Sequence, residues 1–232
     1  MTKRILIVAT SSASMGAGGA PTGVWAEELA VPYYTLADAG FEVEIATTRG
    51  GPVPIDPSSL KPRGQNDPAV DRLLGDEAVQ AKIKATRPVA ECDAGAFDAV
   101  FFPGGHGAMW DMPGDAGVAR AVETALASGK PVAAVCHGVA GLVSAKGSDG
   151  SSIVQGKRVN SFTDAEEKEV GKDGIVPFLL ESRLRELGGR FEGAANWQSF
   201  AVRDGLLITG QNPQSSERVA RMLVDALSER KA

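Results

Sequence analysis

The chain has 232 residues, 43% of them apolar and 23% charged, the proportions of an ordinary folded domain rather than a disordered chain. A net charge of −5 with no Lys/Arg-rich run argues against a nucleic-acid partner, and no stretch approaches the roughly 18 apolar residues of a membrane span. Two cysteines, Cys92 and Cys136, are too few for a disulfide scaffold; with a first strand starting almost at Met1 and no signal-peptide layout, the expected setting is a reducing cytoplasm.

Lys3–Ala9 reads as a strand buried on both faces, as in a parallel sheet covered by helices. The glycine-rich segment 10–23 follows. Its glycines miss the dinucleotide-binding spacing, because Pro21 stands where a glycine is required, and no Gly-Lys-Ser/Thr follows. A mobile loop lining a site at the strand ends is the better expectation. Val24–Ala39 is helical, with Leu29, Tyr33 and Leu36 on one face. Glu28 lies on the flank of that stripe and can enter a pocket, whereas Glu27 points away.

After a second strand at Phe41–Ala46, residues 50–90 form an irregular excursion rich in Pro and Gly. Asp67-Pro68 marks a helix start within it. Its length suits a lid or partner surface better than a simple connection. Phe97–Phe102 is the next strand and runs into Pro103-Gly-Gly-His-Gly107. A helix over 117–127 leads to a strand at Pro131–Val135. Lys157–Phe162 reads as a strand, 163–170 as an acidic loop and Pro177–Leu187 as a helix. Ser199–Arg203 and Leu206–Thr209 flank Asp204-Gly205, a hairpin signal. A last helix runs from Asn212-Pro213 to about Ser228. The alternation predicts an α/β fold: a three-layer, flavodoxin-like sandwich with a mostly parallel central sheet, an inserted helical excursion after the second strand, and one domain over residues 1–232.

The stretch Lys130–Leu142 carries the chemistry. A buried strand turns at Cys136-His137-Gly138 into small apolar residues that read as a helix. That is the layout of a nucleophile elbow, with cysteine in place of serine. The amides opening the next helix favour a thiolate there. A small buried hydrophobe is the plainer alternative for Cys136. The chain has only two histidines, His106 and His137. Each follows a strand, and if those strands are neighbours both histidines reach the same carboxyl edge, where open α/β sheets bind ligands. Asp164, Glu166 and Glu167 offer a carboxylate to orient an imidazole. The spacing matches no zinc pattern, so no metal is expected.

Together these residues resemble the ThiJ/PfpI superfamily, with its class I glutamine-amidotransferase-like fold. The pieces that match are Thr22-Gly-Val with Glu28 and Pro32, Asp98–Gly107, Ala134-Val-Cys-His-Gly138, Phe162-Thr-Asp-Ala-Glu-Glu167 and Thr209-Gly-Gln-Asn-Pro213. The likeness is greatest to the branch of glutathione-independent glyoxalases III and stress chaperones. The resemblance implies Cys136 as nucleophile, His137 as general acid/base, Glu28 against the sulfur, Glu167 (or its neighbour Glu166) as the triad acid, and the amides of Gly105 and His137 as the oxyanion hole. His106 stands beside them as a substrate-binding candidate. No histidine follows His137, so the amidotransferase triad is not expected.

The implied activity is a cofactor-free conversion of methylglyoxal, or a related 2-oxoaldehyde, to D-lactate or the matching 2-hydroxy acid. That is a glyoxalase III-like lyase (D-lactate dehydratase). The alternatives are a cysteine amidase, peptidase or deglycase, and a stress chaperone or cysteine oxidation sensor. The partners implied are a small dicarbonyl and a second copy of the chain as a homodimer, with no nucleic acid and no membrane.

Overall fold

The computed structural model describes residues 2–229. In chain order, the elements are β1 (Arg4–Ala9), α1 (Ala26–Asp38), β2 (Glu42–Thr47), α2 (Pro68–Gly75), α3 (Glu77–Lys84), β3 (Arg87–Pro88), β4 (Ala99–Phe102), α4 (Ala108–Asp111), α5 (Ala116–Ala127), β5 (Val132–Val135), β6 (Arg158–Val159), α6 (Asp164–Glu169), α7 (Leu180–Glu186), β7 (Arg190–Phe191), β8 (Ala201–Asp204), β9 (Leu207–Gly210) and α8 (Ser216–Glu229). The central sheet has the order β3-β2-β1-β4-β5-β9-β8. It is parallel except for β8, which pairs with β9 in the hairpin. The order runs one way from β1 through β2 and the other way from β1 through β4, the flavodoxin-like pattern. Ligands bind such sheets at the carboxyl ends of the strands beside that reversal.

The strands dictate the layers. Ile5, Ile7 and Ala9 of β1 pack on one face with Leu29 and Leu36 of α1 and Val219 and Leu223 of α8. Leu6 and Val8 pack on the other with Val118 and Val122 of α5 and Val139 beyond β5. Alternation within fully apolar strands therefore feeds two cores, and each buried Val, Leu, Ile or Phe contributes about 1.5–3 kcal/mol. None of the helices among the described residues is long and apolar enough to cross a membrane.

Four local expectations change. Lys157–Phe162 is not a strand of the main sheet: only Arg158–Val159 is extended, paired with β7 in a separate two-stranded sheet. Its amides turn instead to side chains of the hairpin, Arg158 N to Asp204 and Asn160 N to Thr209 Oγ1. The acidic segment after it is helical, because Thr163 and Glu166 form a capping box. The segment after the elbow is a 3₁₀ helix, Cys136–Leu142, rather than an α-helix. The helix expected from Pro177 begins at Leu180.

The excursion adds β3 to the sheet edge and contributes Val70, Leu73, Val79 and Ile83 to the α1-side core. Asp67 caps α2 through the Ala69 amide, with Pro68 in its first turn. Asp56 ties the excursion back to the start of α1: it accepts from Thr22 Oγ1 at 2.8 Å, and Ser59 Oγ accepts from the Ala26 amide.

Candidate active site

Cys136 sits where β5 ends, with φ of 56°. Left-handed backbone is uncommon for a non-glycine residue and costs on the order of 1–3 kcal/mol. Here it turns the thiol out of the sheet layer into a cavity of about 230 Å³. Sγ lies 3.3 Å from His137 Nδ1. His137 Nε2 lies 2.6 Å from Glu167 Oε2, and His106 Nε2 lies 2.7 Å from Glu167 Oε1. β4 and β5 are hydrogen-bonded neighbours, which places the two histidine-bearing turns side by side, with ring centroids 4.0 Å apart. His106, left with an open role by the sequence, is part of the same cluster.

The tautomers follow from what each partner can do. An ionised carboxylate only accepts and an ammonium only donates. Lys172 Nζ stands 3.5 Å from His106 Nδ1, so that nitrogen accepts and Nε2–H donates to Glu167. For His137, Nε2–H donates to Glu167 and the Nδ1 lone pair faces the Cys136 thiol. Burial pushes the Glu167 carboxyl up, but the hydrogen bonds from His106 and His137 outweigh it and bring the group down to about 2. Burial, then the neighbouring His137, brings His106 down to about 4 against the pull of Glu167. His106 is therefore neutral at neutral pH.

Glu28 reaches the site from the first turn of α1 and is fully buried. Burial pushes its carboxyl up to about 8, opposed by hydrogen bonding with Cys136 and with the Gly104 amide. Gly104 N donates to Oε2 at 2.8 Å, while Oε1 has no hydrogen-bond partner among the described residues. The Gly104 amide needs an acceptor at Oε2, so a proton on the carboxyl belongs on Oε1, consistent with a neutral Glu28 at pH 7. Burial first, then Glu28, pushes the Cys136 thiol well up. Burial therefore opposes the preference for a thiolate that the amides of the turn supply.

Two glycines are required by the close approach of backbone. A Cβ on Gly104 would fall on Glu28 Oε2 and lie 2.7 Å from the Val135 carbonyl oxygen. One on Gly105, at φ 108°, would overlap the Gly23 carbonyl and lie 2.5 Å from Trp25 N. Gly105 lines the cavity. The His137 amide bonds to the Cys136 sulfur and favours its charged form.

The remaining walls come from distant segments: Trp25, Ser58, Phe162, Val170, Lys172, Trp197 and Pro213. The glycine-rich segment 10–23 does not line the cavity. It is fastened elsewhere, with Thr10 Oγ1 and the Ser11 amide both donating to Asp111 at 2.7 Å. Sequence reasoning missed Phe162, Lys172 and Trp197. Trp197 is the second non-glycine residue with positive φ, 63°. Its amide donates to Glu166 and its indole to Glu169. Glu166 faces away from the histidines, accepting from Thr163, Trp197, Gln211 and Asn212. The carboxylate that contacts His137 is Glu167.

Among the described residues, His106, His137 and Glu167 are the group whose donor atoms cluster as metal ligands could. Both carboxylate oxygens are already engaged by imidazole N–H groups, so a cation would have to displace two protons and two short hydrogen bonds. A larger open cleft, about 810 Å³, lies against α1, α2 and α8. Its charges neutralise one another, as in Arg72 with Asp38 and Arg221 with Glu217, and it holds no nucleophile. Cys136, Glu28 and both histidines line the smaller cavity.

The model of the DJ-1/PfpI family matches residues 20–226. The chain is 31% identical to the glutathione-independent glyoxalase HSP31 of Saccharomyces cerevisiae, covering 97% of this chain and 98% of that protein. The crystal structure of glyoxalase III from Candida albicans superposes with a TM-score of 0.86 at 26% identity, covering 97% of each chain. Rapid Encystment Protein 24 KDa of Francisella tularensis superposes with a TM-score of 0.93 at 37% identity, covering 97% of this chain and 99% of that one.

Proposed function

The chain belongs to the DJ-1/PfpI family, and we propose that within it the protein is a glutathione-independent, glyoxalase III-like enzyme that converts methylglyoxal or a related 2-oxoaldehyde to a 2-hydroxy acid. One observation carries the reading: the Cys136 thiol stands 3.3 Å from an imidazole nitrogen whose other side is held by Glu167, in a small, largely apolar cavity. The names of the relatives in yeast and Candida support it.

The reaction follows from the groups present. His137 Nδ1 takes the thiol proton as sulfur adds to the aldehyde carbon, giving a hemithioacetal. The amides of Gly105 and His137 hold the developing alkoxide, where preorganised donors act in a water-poor site. His137 removes the proton on that carbon and returns it to the adjacent carbonyl carbon through an enediol. The first carbon is oxidised and the second reduced, so no external redox cofactor is needed. The product of this step is a 2-hydroxyacyl thioester on Cys136. Water cleaves it, releasing the acid and restoring the thiol. Glu167 stabilises the imidazolium at each protonated stage, and neutral Glu28 donates to the sulfur. Proton transfer by a placed side chain contributes on the order of 10² to 10⁴ in rate.

The reading includes a cytoplasmic setting, a homodimer and no nucleic-acid partner, the last resting on the acidic balance of the chain. The test is chiral analysis of D-lactate formed from methylglyoxal without glutathione. Wild type forms it and Cys136→Ala does not. No D-lactate from wild type, or equal rates in both, refutes the proposal.

A further inference from the structure

Lys172 brings a positive charge to this cavity with no carboxylate against it. Its ammonium group contacts His106 Nδ1 at 3.5 Å, the long end of hydrogen-bond range, and it has no ion-pair partner among the described residues. The acids of the adjoining helix are committed elsewhere. Glu167 gives one oxygen to each histidine. Glu169 accepts from Trp197 Nε1 and Asn196 Nδ2. Glu166 is saturated by amide and hydroxyl donors. The walls beside Lys172 are Phe162, Val170 and Trp197. A half-buried ammonium on an apolar wall is under-compensated, and an anion placed there gains a charge-assisted hydrogen bond.

The cavity also exceeds the need of the smallest substrate. At about 30 Å³ of liquid volume per water, the space of about 230 Å³ extends beyond a three-carbon dicarbonyl. Resting on the reaction proposed above, we propose that Lys172 forms an anion subsite, and that the preferred substrates are 2-oxoaldehydes carrying a carboxylate on the carbon chain. A carboxylate fits better than a phosphate. Lys172 is one compact charge, and among the described residues no arginine fork lines the cavity to meet a dianion. The aldehyde end meets Cys136, and the carboxylate end meets Lys172 across the cavity.

The experiment compares 4,5-dioxopentanoate with its neutral isostere 5-methyl-2-oxohexanal. In wild type, kcat/KM for the anionic substrate exceeds that for the isostere by about tenfold or more, chiefly through KM, in line with a hydrogen bond to a charged group. Lys172→Met lowers kcat/KM for the anion about tenfold further than for the isostere, and Lys172→Arg retains the preference. Equal kcat/KM in wild type overturns the subsite. So does an equal loss on both substrates in Lys172→Met, the signature of a lysine acting only through His106. If wild type turns over neither compound, the catalytic reading fails separately. The subsite is then judged by calorimetry on Cys136→Ala protein with the corresponding acids, 2-hydroxyglutarate and 2-hydroxy-5-methylhexanoate. Tighter binding of the dianion that is lost on adding Lys172→Met supports it, and equal affinity overturns it.

Discussion

His106 and His137 lie ring against ring, centroids 4.0 Å apart, and hold opposite oxygens of a single carboxylate, Glu167. The carboxylate thus fixes two imidazoles at once, with the lone pair of one aimed at Cys136. A glutamine at position 167 keeps the shape but offers one acceptor and one donor. One imidazole must then reverse its tautomer or lose its bond. Glu167→Gln is expected to lower kcat by about 10² to 10⁴ while the protein remains folded. Glu166→Gln differs in kind. Its new amide nitrogen meets a ring of donors, leaving buried groups unsatisfied at a cost of about 1–3 kcal/mol. Urea unfolding and steady-state kinetics on both variants check the contrast: the larger kinetic loss at 167, the larger stability loss at 166.

The elbow was legible because its signal is local. A small apolar strand, Val132–Val135, runs straight into Cys136-His137-Gly138, and periodicity alone set Glu28 apart from Glu27. The choice between Glu166 and Glu167 was not legible while 163–170 read as a loop, since neighbouring positions diverge only on a helix. The signal was present: Thr163 three residues before Glu166 is a capping box, which turns Glu166 back on the helix start and frees Glu167. Phe162, Lys172 and Trp197 are different. They converge on the cavity through tertiary packing of separate segments, and the left-handed turn at Trp197 is enforced by Glu166 and Glu169 rather than by a glycine. The short β6 was misread because its apolar pattern suits a strand, while its amides bond to side chains of the β8–β9 hairpin.

Gly104 has no room for a methyl group. The Cβ of alanine would meet Glu28 and the Val135 carbonyl, and it would lie 2.8 Å from His137 N. Two of those neighbours are backbone of the elbow and cannot swing aside. Gly104→Ala is expected to destabilise the protein by about 1–3 kcal/mol or more and to lower activity beyond what the loss of folded protein explains. The measurement is activity per folded molecule, with the folded fraction taken from circular dichroism.

The N-cap of α6 supports the Glu167 contacts to the two histidines from outside the cavity. Thr163 Oγ1 accepts from Glu166 N at 3.0 Å and contacts Glu166 Oε2 at 3.1 Å. Thr163→Ala removes the cap at a cost of about 0.5–2 kcal/mol and loosens the turn that carries Glu167. Thr163→Ser restores both oxygen contacts. Alanine should lower both the urea midpoint and kcat, with serine near wild type. A kcat unaffected by alanine would show that α6 is positioned by its other contacts.

Three buried groups set opposing pH limbs of stability. Glu28 has a folded value of about 8 against 4.5 when free, so the native state holds an extra proton between those values. Its contribution is full below pH 4.5 and is lost as pH rises to 8. His106, down to about 4 from 6.5, has the opposite sign, and its contribution is lost as pH falls from 6.5 through 4. Glu167, down to about 2 from 4.5, extends that acid loss from 4.5 through 2. Between pH 4.5 and 6.5 the slopes of Glu28 and His106 oppose each other and cancel. These groups together give a plateau there, a decline below it, and a second decline from 6.5 to 8 that belongs to Glu28 alone. One pKa unit is worth about 1.4 kcal/mol, so that upper decline amounts to about 2 kcal/mol. Glu28→Gln, which stays neutral, should abolish it, keep the decline below pH 4.5, and turn the plateau between 4.5 and 6.5 into a rise with pH, because His106 is then unopposed. Urea midpoints for wild type and Glu28→Gln across both windows decide the matter: a wild-type stability that stays flat or rises from pH 6.5 to 8 would mean that Glu28 is already ionised beside Cys136.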